Sequence, residues 1–355
     1  MAKLLIKNGC VWDGERFEKV DILINGQTVE RIEPTIAETA DTVYYADGKT
    51  VSAGLVDAHV HMRGISADRY GIGVDLSCIP FGVTAAADAS GVHGDRVLLD
   101  SFTVKNTVFV CADIRDNRAD LTKAEEMLIR YGDKAVGIKV YFDTVVSEVF
   151  DSEPLRQICA FARAKGLRVM VHCSHSPTPM SEILEALSPG DILTHAFHGG
   201  ENNAAEDGFV SMKQAQSRGV VIDVGFAGNV HTDFGILRRA IEAGVIPDII
   251  STDVTKLSTY TRGGRYGMTM CMSIAAAMGM SVEALFRAVT SHPATALGKA
   301  EEWGYLKVGR CADLAVLAYT DEGFDLTDRA GNRIKSKRGY RCVLTVADGR
   351  VVYQG

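Results

Sequence analysis

The sequence has no surplus of positive charge. Its 355 residues contain 38 lysines and arginines against 45 aspartates and glutamates, a formal net charge of −7. Proteins that hold nucleic acid by neutralising phosphates need a broad basic surface, so we expect no nucleic-acid partner. The composition, 46% hydrophobic and 23% charged, is typical of a globule rather than a disordered chain. The length indicates one large domain, alone or with a small companion.

Long apolar runs are also missing. The longest uncharged run, residues 266–282, is interrupted by glycine, threonine and serine and is too short and too polar to span a bilayer. The amino-terminal stretch carries charges at Lys3, Lys7 and Asp13, where a secretory signal has an uninterrupted apolar region. We therefore expect a cytoplasmic protein without a membrane partner.

The eight cysteines form no CxxC pair, and most lie inside apolar runs. This usage is typical of reduced thiols in a reducing compartment. It argues against a metal site built from cysteine.

Short apolar runs recur through the middle of the chain, each followed by a polar loop and a stretch with helical periodicity. The predicted strands are Leu55–His61, Val83–Ala87, Thr107–Cys111, Val136–Tyr141, Arg168–His172, Ile192–Ala196, Val220–Val224 and Ile249–Asp253. The helix candidates between them include Lys123–Tyr131, Glu153–Lys165, Met180–Leu187, Met212–Arg218 and Phe234–Ala243. Eight such units predict an α/β fold, a closed parallel (β/α)8 TIM barrel.

The two ends of the chain have a different pattern. Residues 1–50 and 311–353 alternate and turn like antiparallel strands, with hairpin turns predicted at Asn25-Gly26 and Asp348-Gly349. We expect the two ends to pair into one small β-domain. The segment Asp321–Arg338 has the most loop-like composition.

Ionisable residues stand at the ends of several predicted strands, where a barrel has its open mouth. His59 and His61, two residues apart on one strand, face the same way. The other strand-end groups are Lys139, His172, His195 and Asp253, whereas the second, third and seventh strands offer nothing comparable. Imidazole and carboxylate are ligands that suit Zn²⁺ and similar ions. The set predicts a metal site, although any single histidine could instead be an ordinary hydrogen-bonded core residue.

Lys139 lies on an apolar strand, where an unpaired charge would be costly. Two solutions are open at this point. The ammonium could pair with a barrel carboxylate, or the neutral amine could capture CO₂ as a carbamate able to bridge two metals.

Several motifs resemble those of the amidohydrolase superfamily. They are GLVDAHVH, GIKVY, VMVHC, ILTHAF and ISTD in the barrel, and LLIKNGCVWDG and GYLKVGRCADLAVL in the flanks. GDILTHAFHGGEN and GVVIDVG are similar to the dihydroorotase-like and adenine-deaminase-like group that includes deacetylases. The resemblance implies a barrel over 52–300 and a small β-sandwich domain from 1–51 and 301–355.

The resemblance also implies a binuclear centre of two divalent metal ions, with Zn²⁺ the expected identity. His59 and His61 would bind one ion and His172 and His195 the second, with a carboxylated Lys139 bridging both. Asp253 would bind the first ion and act as the catalytic proton carrier for a metal-bridging hydroxide. The implied reaction is hydrolysis of an amide or ester in a small acylated substrate that bears a carboxylate, as in deacetylases.

The resemblance implies two substrate contacts. Arg63 in HVHMR matches the carboxylate-binding arginine of dihydroorotases. His198 is the second contact, although it could instead be an ordinary polar loop residue. Relatives place a histidine after the strand-seven glycine; Phe226 stands there, and His231 is the candidate substitute.

Ring opening as in dihydroorotase or hydantoinase is the alternative reaction, and a metal-free scaffold the alternative class. Deamination is disfavoured because the strand-five HxxE is missing. We expect a small-molecule substrate and a homo-oligomer.

Overall fold

The computed structural model describes residues 2–62, 71–90, 96–261 and 266–355. Its strands in chain order are β1 Lys3–Trp12, β2 Phe17–Asn25, β3 Thr28–Glu33, β4 Thr42–Tyr45, β5 Thr50–Ala53, β6 Leu55–Val60, β7 Val83–Asp88, β8 Lys105–Arg115, β9 Arg118–Asp120, β10 Ala135–Tyr141, β11 Arg168–His172, β12 Ile192–Thr194, β13 Val221–Ile222, β14 Leu314–Thr320, β15 Phe324–Thr327, β16 Arg333–Ser336, β17 Gly339–Ala347 and β18 Arg350–Gln354.

The α-helices in the same ranges are α1 Val74–Cys78, α2 Arg96–Asp100, α3 Thr122–Tyr131, α4 Glu153–Ala164, α5 Met180–Ala186, α6 Val210–Ser217, α7 Phe234–Glu242, α8 Lys256–Thr261, α9 Met268–Ala277, α10 Val282–Val289 and α11 Ser291–Ala296. Short 3₁₀ turns follow at Ile79–Phe81, Gly132–Lys134 and Ala227–Asn229. No helix in the described ranges is both long enough and apolar enough to cross a bilayer.

Seven parallel strands form the curled sheet of a TIM barrel, in the order β13-β12-β11-β10-β8-β7-β6. Their registers bring the carboxyl ends to one rim: Tyr141 pairs with His172, and His172 pairs with Thr194. The barrel prediction is confirmed, and the predicted strand Arg168–His172 agrees in both bounds.

The eighth predicted strand, Ile249–Asp253, is wrong as a continuous strand. This segment closes the barrel through isolated bridges, Asp223 to Ile249 and Val60 to Val254. The Asp253 amide donates to the His59 carbonyl at 2.8 Å. Because the backbone of Asp253 has a left-handed φ of 47°, the segment cannot keep the extended geometry of a strand.

Helices cover the outside of the barrel with one apolar face each. In α4, the buried residues Leu155, Ile158, Cys159 and Ala162 follow helical spacing. The helix α7 begins where the Asp233 side chain accepts from the Ile236 amide, which satisfies one of the amides left free at a helix start. Such packing fixes the strands whose ends carry the candidate site.

Both ends of the chain build a second sheet, in the order β18-β17-β14-β5-β1-β2-β3 with β4 against β1. Hairpins join β2 to β3 and β17 to β18; the turn predicted at Asp348-Gly349 is confirmed, whereas the first turn is formed by Gly26 and Gln27, one residue beyond the predicted Asn25-Gly26. Asp348 and Gly349 both have positive φ, as a two-residue hairpin turn needs. The bounds 1–51 with 301–355 and 52–300 for the two domains stay a prediction.

The expectation that Asp321–Arg338 is a loop is wrong. Strands β15 and β16 pair there as an antiparallel hairpin. Ile334 is buried in the main core, with Phe324 and Leu326 packed against it. The runs of alternating apolar residues in β15 and β16 are too short to predict strands from the sequence.

Trp12 connects the terminal sheet to the barrel. Its ring is fully buried, 4.8 Å from that of Phe17, and its Nε1 donates to Thr290 Oγ1 at 3.1 Å.

We expect Trp12→Phe to lower the free energy of unfolding by about 2 kcal/mol, because ring volume and a buried hydrogen bond are both lost. Chemical denaturation measures this loss. Trp303→Phe is the matched control, since Trp303 is also buried but donates no hydrogen bond within the described residues. Equal losses in the two variants would contradict the role of the hydrogen bond.

Candidate metal centre

One group of potential ligands lies where β6 meets the closing segment of the barrel. It consists of His59, His61 and Asp253, whose ligand atoms lie within 4.8 Å of one another. Asp253 Oδ1 is 2.9 Å from His61 Nε2 and 3.3 Å from His59 Nε2. The i, i+2 spacing of the histidines thus brings both imidazoles to one carboxylate, as the sequence predicted.

A second group lies beside the first. It consists of His172, His195 and His231, again with ligand atoms within 4.8 Å. The ring centroids of His195 lie 4.4 Å from those of His172 and His231. Asp253 Oδ2 is 3.8 Å from His195 Nε2, so the two groups are contiguous. His231, which the sequence offers only as a candidate substitute for the histidine of relatives, thus lies beside two predicted ligands.

Lys139 lies on β10 and is fully buried. Its Nζ is 3.4 Å from His59 Nε2, and it forms no ion pair with any described carboxylate. Burial lowers the pKa of this amine to about 8, because a low-dielectric interior disfavours the charged form. The described residues thus provide no direct ion pair for Lys139, which is one of the two solutions that the sequence leaves open.

Hydrogen bonds behind the imidazoles fix their tautomers. Thr194 Oγ1 donates to Asp223 Oδ2 at 2.7 Å, so it accepts from His59 Nδ1 at 3.0 Å. The Gly225 carbonyl can only accept, and it lies 2.7 Å from His195 Nδ1. Both rings therefore carry their proton on Nδ1 and present a lone pair at Nε2. This is how carboxylates and carbonyls orient metal-binding histidines.

Hydrogen bonds also orient His61 and His172, through Nδ1 in His61 and through Nε2 in His172. Ser90 Oγ donates to Asp88 Oδ1 at 3.2 Å and lies 3.4 Å from His61 Nδ1. His172 Nε2 lies 3.0 Å from Asp143 Oδ2, so the lone pair of that ring is on Nδ1. Sequence reasoning did not identify the carboxylates that lie behind the histidines. The expectation that the second and seventh predicted barrel strands carry no comparable group is wrong. An acid ending an apolar run, as in VTAAAD, is the signal that could have identified Asp88.

The residues fit a bound cation. Asp253 Oδ1 is buried and accepts no hydrogen bond from the described residues, despite two imidazole nitrogens within 3.3 Å. Lone pairs that face a carboxylate oxygen repel it unless a positive charge lies among them. Nitrogen and carboxylate donors in this number are the set that Zn²⁺ uses.

The electrostatics keep most of these rings neutral. Burial lowers the pKa of His59 and of His195 well below the ordinary value, and it lowers that of His231 to about 4. At His61 burial acts in the same direction, but the Asp253 carboxylate outweighs it and the net pKa is raised. Burial would raise the pKa of Asp253, yet the surrounding histidines hold it well below its usual range.

The five histidines of the two groups and Asp253 line a cavity of about 680 Å³ at the barrel mouth. His198 is buried in an adjoining cavity of about 290 Å³, where it lies beside Ser174, His175 and His231. Arg63, the other predicted substrate contact, lies outside the described residues. The structure thus brings together all six predicted metal ligands and sets His198 next to them.

Backbone strain accompanies two of these residues. His195 and Asp253 both have positive φ, at 58° and 47°, which costs about 1–3 kcal/mol at a non-glycine residue. Gly225 also has a positive φ, of 57°, and a Cβ there would clash with Thr194 Oγ1 and lie 2.6 Å from His195 Nδ1. The close approach of Gly225 is therefore what lets its carbonyl orient His195.

We expect Gly225→Ala to lose bound metal, since the added methyl group must displace His195. Gly244→Ala is the matched control, because Gly244 also has a positive φ of 85° but a Cβ there meets nothing within 4 Å. Both variants should lose about 1 kcal/mol from backbone strain. Metal content by mass spectrometry after equilibration with limiting zinc, together with chemical denaturation, measures both effects. Equal metal content in the two variants would show that Gly225 does not position a ligand.

Comparisons with known proteins agree with this geometry. Residues 50–352 match the amidohydrolase family. A protein of Enterococcus faecalis named deacetylase is 28% identical over 98% of each chain, and deacetylase Atu3266 of Agrobacterium fabrum is 28% identical over 92% of this chain and 84% of its own. Among solved structures, a dihydroorotase (TM-score 0.87, 99% of each chain) and an adenine deaminase (TM-score 0.86, 100% of each chain) are each 25% identical. The chain belongs to the amidohydrolase family.

Proposed function

We propose that this amidohydrolase removes the acyl group from a small acylated amino or hydroxy acid, as a deacetylase does. The observation that carries the proposal is the pair of ligand groups that share one cavity, with the buried Lys139 beside His59. The relatives named deacetylases, which align over most of this chain, support the subtype.

The site suits two divalent metal ions, with Zn²⁺ as the first candidate. His59, His61 and Asp253 would hold one ion, and His172 and His195 the other, with His231 as a further ligand. When bound, such ions lower the pKa of water and polarise a carbonyl group. The outer hydrogen bonds of Thr194 and Gly225 keep the ligand nitrogens deprotonated and aimed inward.

Lys139 serves this site as a carbamate. A neutral lysine amine adds to CO₂ and loses one proton, which turns a buried base into an anionic, carboxylate-like ligand. The lowered pKa of Lys139 makes the neutral amine available near neutral pH, and burial among imidazoles leaves the free ammonium without a described carboxylate partner. As a carbamate, Lys139 would supply an anionic ligand for bound cations in place of an unpaired ammonium.

Asp253 is the proposed proton carrier. Its carboxylate lies between the two ligand groups, 2.9 Å from His61 and 3.8 Å from His195. Because the neighbouring histidines hold its pKa low, it is ionised at neutral pH and can accept a proton from the attacking water. It then delivers that proton to the leaving nitrogen or oxygen.

The mouth of the cavity favours a substrate with an apolar part. Val145, Val146, Val230 and Leu257 line it and are between 45% and 74% exposed. Aliphatic side chains at such an opening gain from contact with an apolar substituent. His198 is the proposed polar contact of the substrate in the adjoining cavity.

Ring opening of a cyclic amide is the second candidate reaction. It is favoured by the likeness to a dihydroorotase structure over nearly the whole chain. The two reactions use the same ligand groups and differ in the substrate, so kinetics with acyclic and cyclic amides separates them.

We expect zinc-loaded protein to hydrolyse N-acetyl or O-acetyl acids faster than cyclic ureides. Asp253→Asn should lower kcat by about a hundredfold or more, since the proton carrier is lost. A panel of acylated D- and L-amino and hydroxy acids, followed by release of acetate, measures both. Asp191→Asn is the control, because Asp191 is a buried carboxylate that accepts from the Val169 and Ser188 amides, away from the site. Faster turnover of cyclic ureides would favour the second candidate, and undiminished activity of Asp253→Asn would refute the proton carrier.

We expect the carbamate to form only with the neutral amine. Because the pKa of Lys139 is about 8, the reaction with CO₂ should speed up as the pH rises toward 8 and slow as the pH falls below it. Carbon-13 NMR of protein incubated with zinc and labelled bicarbonate should show one carbamate signal that is absent from Lys139→Ala. Added propionate should partly restore zinc binding to Lys139→Ala, whereas Lys139→Arg, which fills the space, should stay unrescued. An unchanged zinc content in Lys139→Ala would contradict the proposed ligand.

A further inference from the structure

The adjoining cavity that contains His198, here called the side cavity, opens onto the metal cavity. The two share His175, Val230, His231 and Arg329 in their walls. A molecule with its acyl group at the ligand groups can therefore extend another group into the side cavity. The volume of about 290 Å³ admits a small polar substituent.

His198 supplies a buried donor to this cavity. It is only 2% exposed, and its Nδ1 accepts from the Gly200 amide at 3.2 Å. The proton of the ring is therefore on Nε2, which has no hydrogen-bond partner among the described residues. A buried donor without an acceptor is unfavourable, so Nε2 is suited to bind an acceptor on a ligand. Thr232 Oγ1, in the same wall, is also buried without a described partner.

Arg329 supplies the positive charge. It lies in the turn between β15 and β16, is exposed, and lines both cavities. Within the described part of the chain its guanidinium forms neither a hydrogen bond nor an ion pair. An arginine at a cavity wall is suited to bidentate binding of a carboxylate. One carboxylate, that of Asp233, shares the side cavity, but its Oδ1 already accepts from the Ile236 amide and from Asn332 Nδ2.

The turn that carries Arg329 is fixed to the barrel. Asp328 is buried, and its Oδ2 accepts from the Phe234 amide at 2.7 Å, at the start of α7. Asn332 Nδ2 donates to Asp233 Oδ1 and to Asp328 Oδ2. Because both ends of the turn are tied to α7, Arg329 is held over the cavity, and little entropy is lost when it binds a ligand.

We propose that the side cavity is the carboxylate subsite of the enzyme, with Arg329 as the charged anchor and His198 Nε2 as the buried donor. The inference rests on the proposed function and names the residues that select acids over uncharged amides. The subsite adjoins the ligand groups at His175 and His231, so the acyl group and the carboxylate must belong to one short molecule. The substrate class is accordingly short acylated amino or hydroxy acids.

The test compares an acid with its uncharged amide. Steady-state kinetics of zinc-loaded protein with N-acetyl amino acids and with the corresponding amides gives the preference in kcat/KM. We expect Arg329→Gln to raise KM for the acid about tenfold or more, the size of a lost charge-assisted contact, so that the preference falls toward one. Arg329→Lys should retain part of the preference for the acid. His198→Phe should also lower that preference, because the buried donor at Nε2 is lost. Arg333→Gln is the matched control, since Arg333 is in the same hairpin but pairs with Asp325.

Binding of a product-like acid tests the subsite without turnover. Calorimetric titration with lactate and with lactamide should show tighter binding of the acid to the natural protein and loss of that difference in Arg329→Gln. If no acylated compound is hydrolysed but this difference is found, the proposed function fails and the subsite stands. Equal binding of lactate and lactamide to the natural protein, or an unchanged difference in Arg329→Gln, would overturn the subsite.

Discussion

The barrel mouth depends on one electrostatic constraint: several imidazole lone pairs converge on a buried carboxylate. His59 Nε2 and His61 Nε2 lie 3.3 and 2.9 Å from Asp253 Oδ1. The tautomer of His59 is fixed from behind by Thr194 Oγ1, which accepts from His59 Nδ1, and that of His195 by the Gly225 carbonyl. Such an arrangement is unfavourable by itself and favourable around a cation. A metal ion bound by these donors would stabilise the folded barrel, so metal affinity and fold stability would be linked.

The same contacts that shape the site also close the barrel. The segment from Ile249 to Val254 joins β6 through the bond from the Asp253 amide to the His59 carbonyl, rather than through a full strand ladder. Asp57, buried on β6, accepts from the Thr252 hydroxyl at 2.6 Å and from the Thr252 amide. The strained φ of Asp253 is thus held between bonded neighbours, which is how such strain persists at functional residues.

How much the sequence predicts depends on whether a residue lies on a strand. Runs such as Arg168–His172 are apolar because both faces of a parallel strand are buried, and a polar residue at their end marks the barrel mouth. His231 and Arg329 lie in loops, where neither spacing nor hydrophobic pattern fixes the direction of a side chain. The eighth strand was mispredicted because its apolar composition does not encode the left-handed turn at Asp253.

The hairpin of β15 and β16 shows why the end of the chain matters to a site made by its middle. Within the described residues, the barrel strands and their ends present histidines, carboxylates and Lys139 at the inner rim. Among the described residues that line the two cavities, the arginine is Arg329, which lies outside that rim. The hairpin reaches α7 through Asp328 and sets Arg329 at the wall instead. In the proposed subsite the charged anchor and the metal ligands are thereby carried by separate parts of the chain, so the anchor can change without loss of the ligands.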